Sequence, residues 1–164
     1  MAHLVDRYFK QNRVAEKYMK HYEDQLELLT ERIKDVEEAG PSSLRGDQCR
    51  NASAISDPTV RKTMAILDAE EDTEKVRRWL ALIREVEAGL PEMYLIVIRI
   101  WRKHRWKRGS QGWMRQAETE FAAEMAKLHA KDEADTYRSK QTLEGYWDFI
   151  IQITVRAAVA RGLL

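Results

Sequence analysis

Cysteine is nearly absent from this chain of 164 residues, in which Cys49 stands alone. A single cysteine cannot form an internal disulfide framework or a cysteine-rich zinc module. Apolar runs are also short: the longest covers residues 93–98, whereas a membrane-spanning helix needs roughly 18 apolar residues. The start of the chain, which includes Asp6, lacks a signal-peptide pattern. These absences predict a soluble cytoplasmic protein without a membrane partner.

Recognisable catalytic and metal-binding motifs are missing as well. The four histidines are scattered without the spacing of metal ligands, and neither a glycine-rich phosphate loop nor a G-x-S-x-G elbow occurs. A metal-dependent nuclease would have to use the acidic run Asp68, Glu70, Glu71 and Asp72. Adjacent acids in a charged turn are more typical of a solvated surface. We therefore expect no enzyme, no cofactor and no metal site, with a nuclease as the remote alternative.

Acidic residues are missing between Glu92 and Glu118, although the whole chain has a net charge of only +1. The stretch holds seven basic residues and three tryptophans: Arg99, Arg102, Lys103, Arg105, Lys107, Arg108 and Arg115, with Trp101, Trp106 and Trp113. Phosphate contacts from Lys and Arg supply most non-specific affinity for nucleic acid, and aromatic rings stack on bases. The alternative is a solvated basic loop with core tryptophans. Residues 101–164 carry 12 basic and 8 acidic side chains, net +4, which favours anion docking there.

Strand-like alternation and internal repeats are also absent, and the apolar spacing predicts an all-α fold. Apolar residues recur in steps of four and three along the N-terminal segment: Ala15, Met19, Tyr22, Leu26, Leu29, Ile33 and Val36, with Asn12 in the same phase. This period predicts one long helix over residues 1–39. It would form a coiled coil with a second protomer, or pack against the rest of its own chain. Residues 40–56, which begin with Gly40-Pro41, are expected to form an exposed linker.

Residues 57–164 are expected to form a helical domain. The predicted helices cover 57–67, 73–88, 93–103, 117–129 and 139–161, with a basic loop over 102–116. A core helix, a short helix and a longer helix follow one another in the order of a helix-turn-helix, near residues 117–161. In such units the N-terminal residues of the last helix reach base edges in the major groove.

The start of the last predicted helix carries side chains suited to reading bases. Ser139 is a plausible N-cap, and Lys140, Gln141 and Thr142 follow it. Gln pairs with adenine, Lys contacts phosphate or guanine, and the Thr methyl group suits thymine. The predicted DNA-binding residues are therefore these three, together with Arg138 and the phosphate-contacting set Arg102, Lys103, Arg105, Lys107, Arg108 and Arg115.

The run from Ser139 to Ile150 resembles the recognition helix of small phage-encoded regulators related to the sigma-factor region 4 helix-turn-helix. The Ala-rich ending at residues 157–164 and the Leu90-Pro91-Glu92 entry to the helix before the motif resemble the same group. Residues 55–62, after a long N-terminal helix, are similar to ArpU/RinA-like phage late-gene regulators. The resemblance runs from about residue 15 to the C-terminus. It implies a sequence-specific duplex-DNA-binding transcription regulator in a bacterial host, whose N-terminal helix pairs protomers or engages RNA polymerase.

Two other classes of function remain open at this point. A small terminase-like DNA packaging or assembly subunit also joins a helical DNA-binding domain to an oligomerising helix. A protein-interaction module would use the tryptophans and the basic loop to hold an acidic partner, without binding DNA.

Overall fold

The computed structural model describes residues 2–39, 58–106 and 112–164, and the statements below concern these residues. Seven α-helices make up this part of the chain: α1 (Ala2–Lys20), α2 (Tyr22–Ala39), α3 (Pro58–Ala88), α4 (Glu92–Lys103), α5 (Gly112–His129), α6 (Glu133–Thr136) and α7 (Lys140–Ala160). The all-α prediction is confirmed here. The predicted linker 40–56 lies outside the described residues, as do Lys107 and Arg108. No described helix is long and apolar enough to cross a membrane.

The chain divides into two units, and the division differs from the predicted one. Unit 1 comprises residues 1–22 and 79–164, and unit 2 comprises residues 23–78. Helix α1 thus belongs with the C-terminal helices instead of forming a separate N-terminal element. Its apolar stripe explains this membership, since Ala15 and Met19 are buried and α1 packs against α4 and α7. The apolar residues that recur with a coiled-coil period along α1 are therefore covered by other helices of the same chain. Pairing with a second protomer is not confirmed.

In the core of unit 1, tryptophans of α5 and α7 pack against a tryptophan of α4. Helix α4 buries Ile96, Val97, Ile98, Ile100 and Trp101, as its nearly continuous apolar sequence predicts. The Trp101 ring lies 5.5 Å, centroid to centroid, from Trp113 on α5 and 5.5 Å from Trp147 on α7. Each fully buried large apolar side chain stabilises the fold by about 1.5–3 kcal/mol. Three helices are therefore held together around one indole.

Two helix boundaries contradict the sequence prediction. Helix α3 is continuous from Pro58 to Ala88, so the prediction of separate helices over 57–67 and 73–88 is wrong. The stretch between them holds no glycine or proline, and charge pairs such as Glu74 with Arg77 (2.9 Å) support a continuing helix. The single helix over residues 1–39 is in fact two, α1 and α2, separated at His21. Neither glycine nor proline marks that break.

The sequence predicted the start of α7 correctly and the start of α5 incorrectly. Helix α7 begins after Ser139, whose hydroxyl accepts the Thr142 N–H at 3.4 Å, so the predicted N-cap is confirmed. Helix α5 begins at Gly112 instead of near residue 117, which shortens the basic loop. The connection between α5 and α7 contains α6 and exceeds the roughly 3–4-residue turn of a helix-turn-helix. That motif is therefore not confirmed.

Contacts among α4, α5 and α7 bring three helix ends together. The Lys103 ammonium lies 2.8 Å from Glu120, and the Arg99 guanidinium lies 3.7 Å from Glu124, so α4 and α5 run antiparallel. The Lys140 N–H donates to Glu118 at 2.6 Å, and Tyr146 lies 6.3 Å from Phe121 between ring centroids. Helix α4 thus ends where α5 and α7 begin, at the end of unit 1 that holds the predicted DNA-binding residues.

Candidate nucleic-acid interface

Arg102 is fixed inside unit 1 and does not form part of an open surface. Its Nε donates to the backbone oxygen of Met19 at 3.0 Å, its Nη2 pairs with Glu87, and its guanidinium lies 4.6 Å from the Tyr22 ring centroid. Only 12% of the side chain is exposed. A guanidinium that is already desolvated and paired would have to break these contacts to reach a phosphate. We therefore leave Arg102 out of the proposed interface.

The end of α4 presents cations beside an exposed indole. Lys103 extends into solvent, although its ammonium also contacts Glu120 at 2.8 Å. The Arg105 guanidinium lies 5.6 Å from the centroid of the Trp106 ring. Trp106 is 71% exposed, and its ring meets His21 edge-on at 4.8 Å. An exposed indole with a nearby cation is suited to stacking on a base or a sugar.

Arg115 adds a further cation from the first turns of α5, where it is exposed. It precedes Glu118 by about one helical turn and its charge acts on Tyr137, so it lies on the side of α5 away from Glu120 and Lys103. We call Lys103, Arg105 and Trp106 the basic tryptophan surface. The other two tryptophans of the acid-free stretch do not belong to it, because Trp101 is buried and Trp113 is half-buried against Trp101 and His104. Core tryptophans and an exposed one thus occur in the same stretch of sequence.

Glu120 sets the electrostatics behind this surface. Partial burial raises the pKa of its carboxyl, but the hydrogen bond from Lys103 and the charges of His104 and Lys103 together outweigh burial, so the pKa lies below its ordinary value. His104 is buried, with Nε2 3.4 Å from the same Glu120 oxygen. The carboxylate therefore stays ionised and holds the end of α4 against α5.

The start of α7 is occupied by a carboxylate from its own chain. The N-terminus of a helix attracts anions because its first N–H groups lack partners. Here Glu118 accepts the Lys140 N–H at 2.6 Å and Ser139 accepts that of Thr142. The pKa of the Tyr137 phenol is raised, first by desolvation and then by its hydrogen bond to Glu118 and the negative charge of that residue. The positive charge of Arg115 acts in the opposite direction.

The predicted base-reading residues are held by local contacts. The Lys140 ammonium lies 3.7 Å from Glu144, and the Thr142 hydroxyl lies 3.1 Å from that of Ser139. Arg138 donates to the backbone oxygen of Tyr137 at 2.8 Å. Gln141 is exposed, and it is the member of this group best placed to meet a ligand.

The exposed side of α7 is acidic near its start. Glu144 and Asp148 are both exposed there, beside the half-exposed ring of Phe149. A helix in the major groove lies between two rows of phosphates, so carboxylates on its outward side are unfavourable. Lys103, Arg105, Trp106 and Arg115 thus lie at one end of unit 1. The charge at the start of α7 is less favourable for binding DNA.

Sequence reasoning missed Glu118 and Glu120, the two acids that neighbour the predicted contacts. They are two positions apart on α5 and hence on roughly opposite sides of it, about 200° apart. One faces the end of α4 and the other faces the start of α7. Their place just after the acid-free stretch would have identified them only if the early start of α5 had been known.

No family model, no curated protein and no solved structure matches this chain. Among the residues that the structure describes, no three His, Cys, Asp or Glu side chains are grouped so that they could hold a metal ion. The contacts, exposure and charge of the described residues are therefore what indicates a function for this protein.

Proposed function

We propose that this protein binds duplex DNA through the basic tryptophan surface. The observation that carries the proposal is the 71% exposure of Trp106 next to Arg105 and Lys103, with Arg115 at the same end of unit 1. In sequence, Lys107 and Arg108 follow Trp106 directly and add two positive charges. Cations that neutralise phosphates supply affinity without reading sequence.

The charge of the two units supports an anionic partner for unit 1. Unit 1 holds 19 Lys or Arg and 13 Asp or Glu, net +6, whereas unit 2 holds 9 and 14, net −5. The net charge of +1 for the whole chain is the sum of these two opposite values. A protein whose charge is segregated in this way attracts a polyanion to one unit and repels it from the other.

A sequence-specific phage or prophage transcription regulator, similar to the ArpU/RinA-like proteins, is the narrower form of the proposal. It requires Lys140, Gln141, Thr142 and Arg138 to approach the DNA together with the basic tryptophan surface. Glu118 opposes that approach, because its carboxylate occupies the start of α7. Exposed Gln141 is the side chain that favours it most.

Binding of labelled random-sequence duplexes at low salt, followed by fluorescence anisotropy, tests the broad proposal. We expect Lys103→Ala to weaken binding and Lys127→Ala to leave it unchanged, since Lys127 is an exposed cation of α5 outside the surface. If both variants bind duplex DNA equally tightly, the basic tryptophan surface is not part of the DNA interface. If the wild type binds no duplex, the remaining candidate is a module that binds an acidic protein.

Selection of bound sequences from a random duplex pool tests the narrower form. Enrichment of one motif, lost in Gln141→Ala, would support a regulator that reads bases from the start of α7. Binding without enrichment would support contact with the phosphate backbone alone.

A DNA packaging or assembly subunit is the second candidate, and exposure of Leu28 in unit 2 favours it. This leucine is 52% exposed on α2 and lines an open apolar cleft with Leu29 and Val76, and a second copy that covered the cleft would remove this apolar surface from water. Light scattering of the eluted protein separates the candidates, since a large closed ring supports assembly and a monomer or dimer supports regulation.

A further inference from the structure

Unit 2 contains an apolar opening that its own helices leave uncovered. Leu28 and Leu29 of α2 and Val76 of α3 line an open cleft whose polar members are Gln25, Arg32 and Thr73. Leu28 is 52% exposed, and Ile33 farther along α2 is also exposed. Removing such side chains from water is favourable by about 25 cal/mol for each Å² of apolar surface.

A ridge of acids borders this cleft. Asp24, Glu27 and Glu31 follow one another on α2 at steps of three and four, which places them along one side of the helix next to Leu28. Within α2, seven acidic residues stand against two basic ones. Two copies of such a helix repel each other, so symmetric pairing of the cleft with itself is disfavoured.

The basic tryptophan surface has the complementary properties. Its exposed apolar group is the Trp106 indole, and its cations are Lys103 and Arg105. We infer that the acidic cleft of unit 2 in one copy docks onto the basic tryptophan surface of a second copy. Trp106 contacts Leu28, and the cations face the acidic ridge. Arg32 at the cleft lies where a guanidinium can stack on the incoming indole.

This contact joins two different surfaces, so one copy of a docked pair retains its basic tryptophan surface and the other retains its acidic cleft. Such head-to-tail contacts extend into open chains or close into rings. The inference deepens the proposed function, because it makes DNA and a second copy compete for one surface. The docking itself does not require DNA binding.

Charge exchange between the two surfaces tests the docking. Sedimentation velocity at low salt should show that the wild type associates and that added salt reverses the association. The variants Glu27→Lys/Glu31→Lys and Lys103→Glu/Arg105→Glu should each be monomeric alone, since each then carries two surfaces of like charge. An equal mixture of the two should associate again. Loss of folding cannot imitate this result, because unfolded variants would not recover on mixing.

Controls separate charge from the apolar contact. Leu28→Ser changes no charge and should weaken association at every salt concentration. Glu133→Lys/Asp148→Lys alters two exposed acids of unit 1 and should associate like the wild type. The inference is overturned if the wild type stays monomeric at low salt, if the mixture fails to associate, or if Lys103→Glu/Arg105→Glu associates alone, which would indicate pairing between copies of unit 2.

Duplex binding by Glu27→Lys/Glu31→Lys distinguishes this inference from the proposed function. The variant keeps the basic tryptophan surface, so it should bind duplex DNA at least as tightly as the wild type. If no variant binds DNA but mixing restores association, the proposed function fails and the docking stands. If DNA binds and mixing restores nothing, the docking fails and the proposed function stands.

Discussion

Arg115→Ala and Arg102→Ala remove the same charge from the same end of unit 1, yet the structure predicts opposite consequences. Arg115 is exposed, whereas 12% of the Arg102 side chain is exposed and its guanidinium pairs with Glu87 and Met19. Arg115 can therefore meet a phosphate, whereas Arg102 would first have to break these contacts. Loss of Arg115 should change the salt dependence of DNA binding, and loss of Arg102 should change the stability of the fold.

The expected salt dependence follows from the number of cations at the interface. With Lys103, Arg105, Lys107, Arg108 and Arg115 each neutralising one phosphate, the slope of log affinity against log salt is about −4.5, at about 0.9 per phosphate. Between about 0.05 M and about 0.2 M salt, affinity should then fall about 500-fold. For Arg115→Ala the slope becomes about −3.6 and the fall about 150-fold.

Arg102→Ala should leave the slope at its wild-type value. It removes charge-assisted hydrogen bonds to Glu87 and to the backbone of Met19, which should lower the free energy of unfolding by about 2 kcal/mol. Arg115→Ala, on the exposed surface, should change it by no more than about 0.5 kcal/mol.

Anisotropy titrations with a random-sequence duplex at several salt concentrations give the slopes, and urea unfolding gives the stabilities. A slope reduced by one unit in Arg102→Ala but not in Arg115→Ala would refute the assignment of the two arginines. A wild-type slope near zero would remove the whole acid-free stretch from the DNA interface.

Three further variants test the neighbouring contacts. Trp106→Ala should weaken duplex binding by about 1 kcal/mol, the loss of about 40 Å² of apolar contact with the sugars of the backbone at about 25 cal/mol per Å². The salt slope should be unchanged because no charge is lost, as anisotropy would show. Glu118→Gln should tighten duplex binding several-fold if the start of α7 faces DNA, while Glu118→Ala should also cost about 1 kcal/mol of stability in urea by removing the acceptor for the Lys140 N–H; equal binding by Glu118→Gln and the wild type would place α7 away from the DNA. Because the pKa of Glu120 is lowered in the fold, its stabilising contribution is present above the ordinary pKa of a glutamate and is lost as pH falls through the lowered value. Urea unfolding should therefore show a loss of stability in that acidic range, and Glu120→Gln should show a smaller one.

The sequence was sufficient for the helices whose boundaries have a local chemical cause. Pro91 and Ser139 precede α4 and α7, and the apolar spacing after them predicted both helices nearly to the residue. It was not sufficient for α1 and α3. The period of α1 predicts an apolar stripe but not which partner covers it, and the charged middle of α3 is compatible with a turn or with a continuous helix paired along its surface.

The candidate site was predictable as a region but not in its details. The absence of acids between residues 92 and 118 located the cations. One of these cations, Arg102, nevertheless contacts Met19, which is 83 positions earlier in the chain. No local pattern indicates so distant a partner. For the same reason, the sequence could not tell that Trp106 is exposed and Trp101 buried, since both are aromatic residues flanked by cations and differ only in what the other helices place beside them.

Competition between DNA and a second copy for the basic tryptophan surface should favour DNA, because the two differ in charge density. Duplex DNA carries one charge per about 1.7 Å of its axis. Helix α2 carries a net charge of −5 over 18 residues, or one charge per about 5.4 Å at about 1.5 Å per residue. DNA therefore offers about three times as many charges over the same length, and releases more counterions when the same cations bind it. Self-docking should accordingly show the shallower salt dependence, and added duplex should disperse the associated copies at salt concentrations where they would otherwise persist.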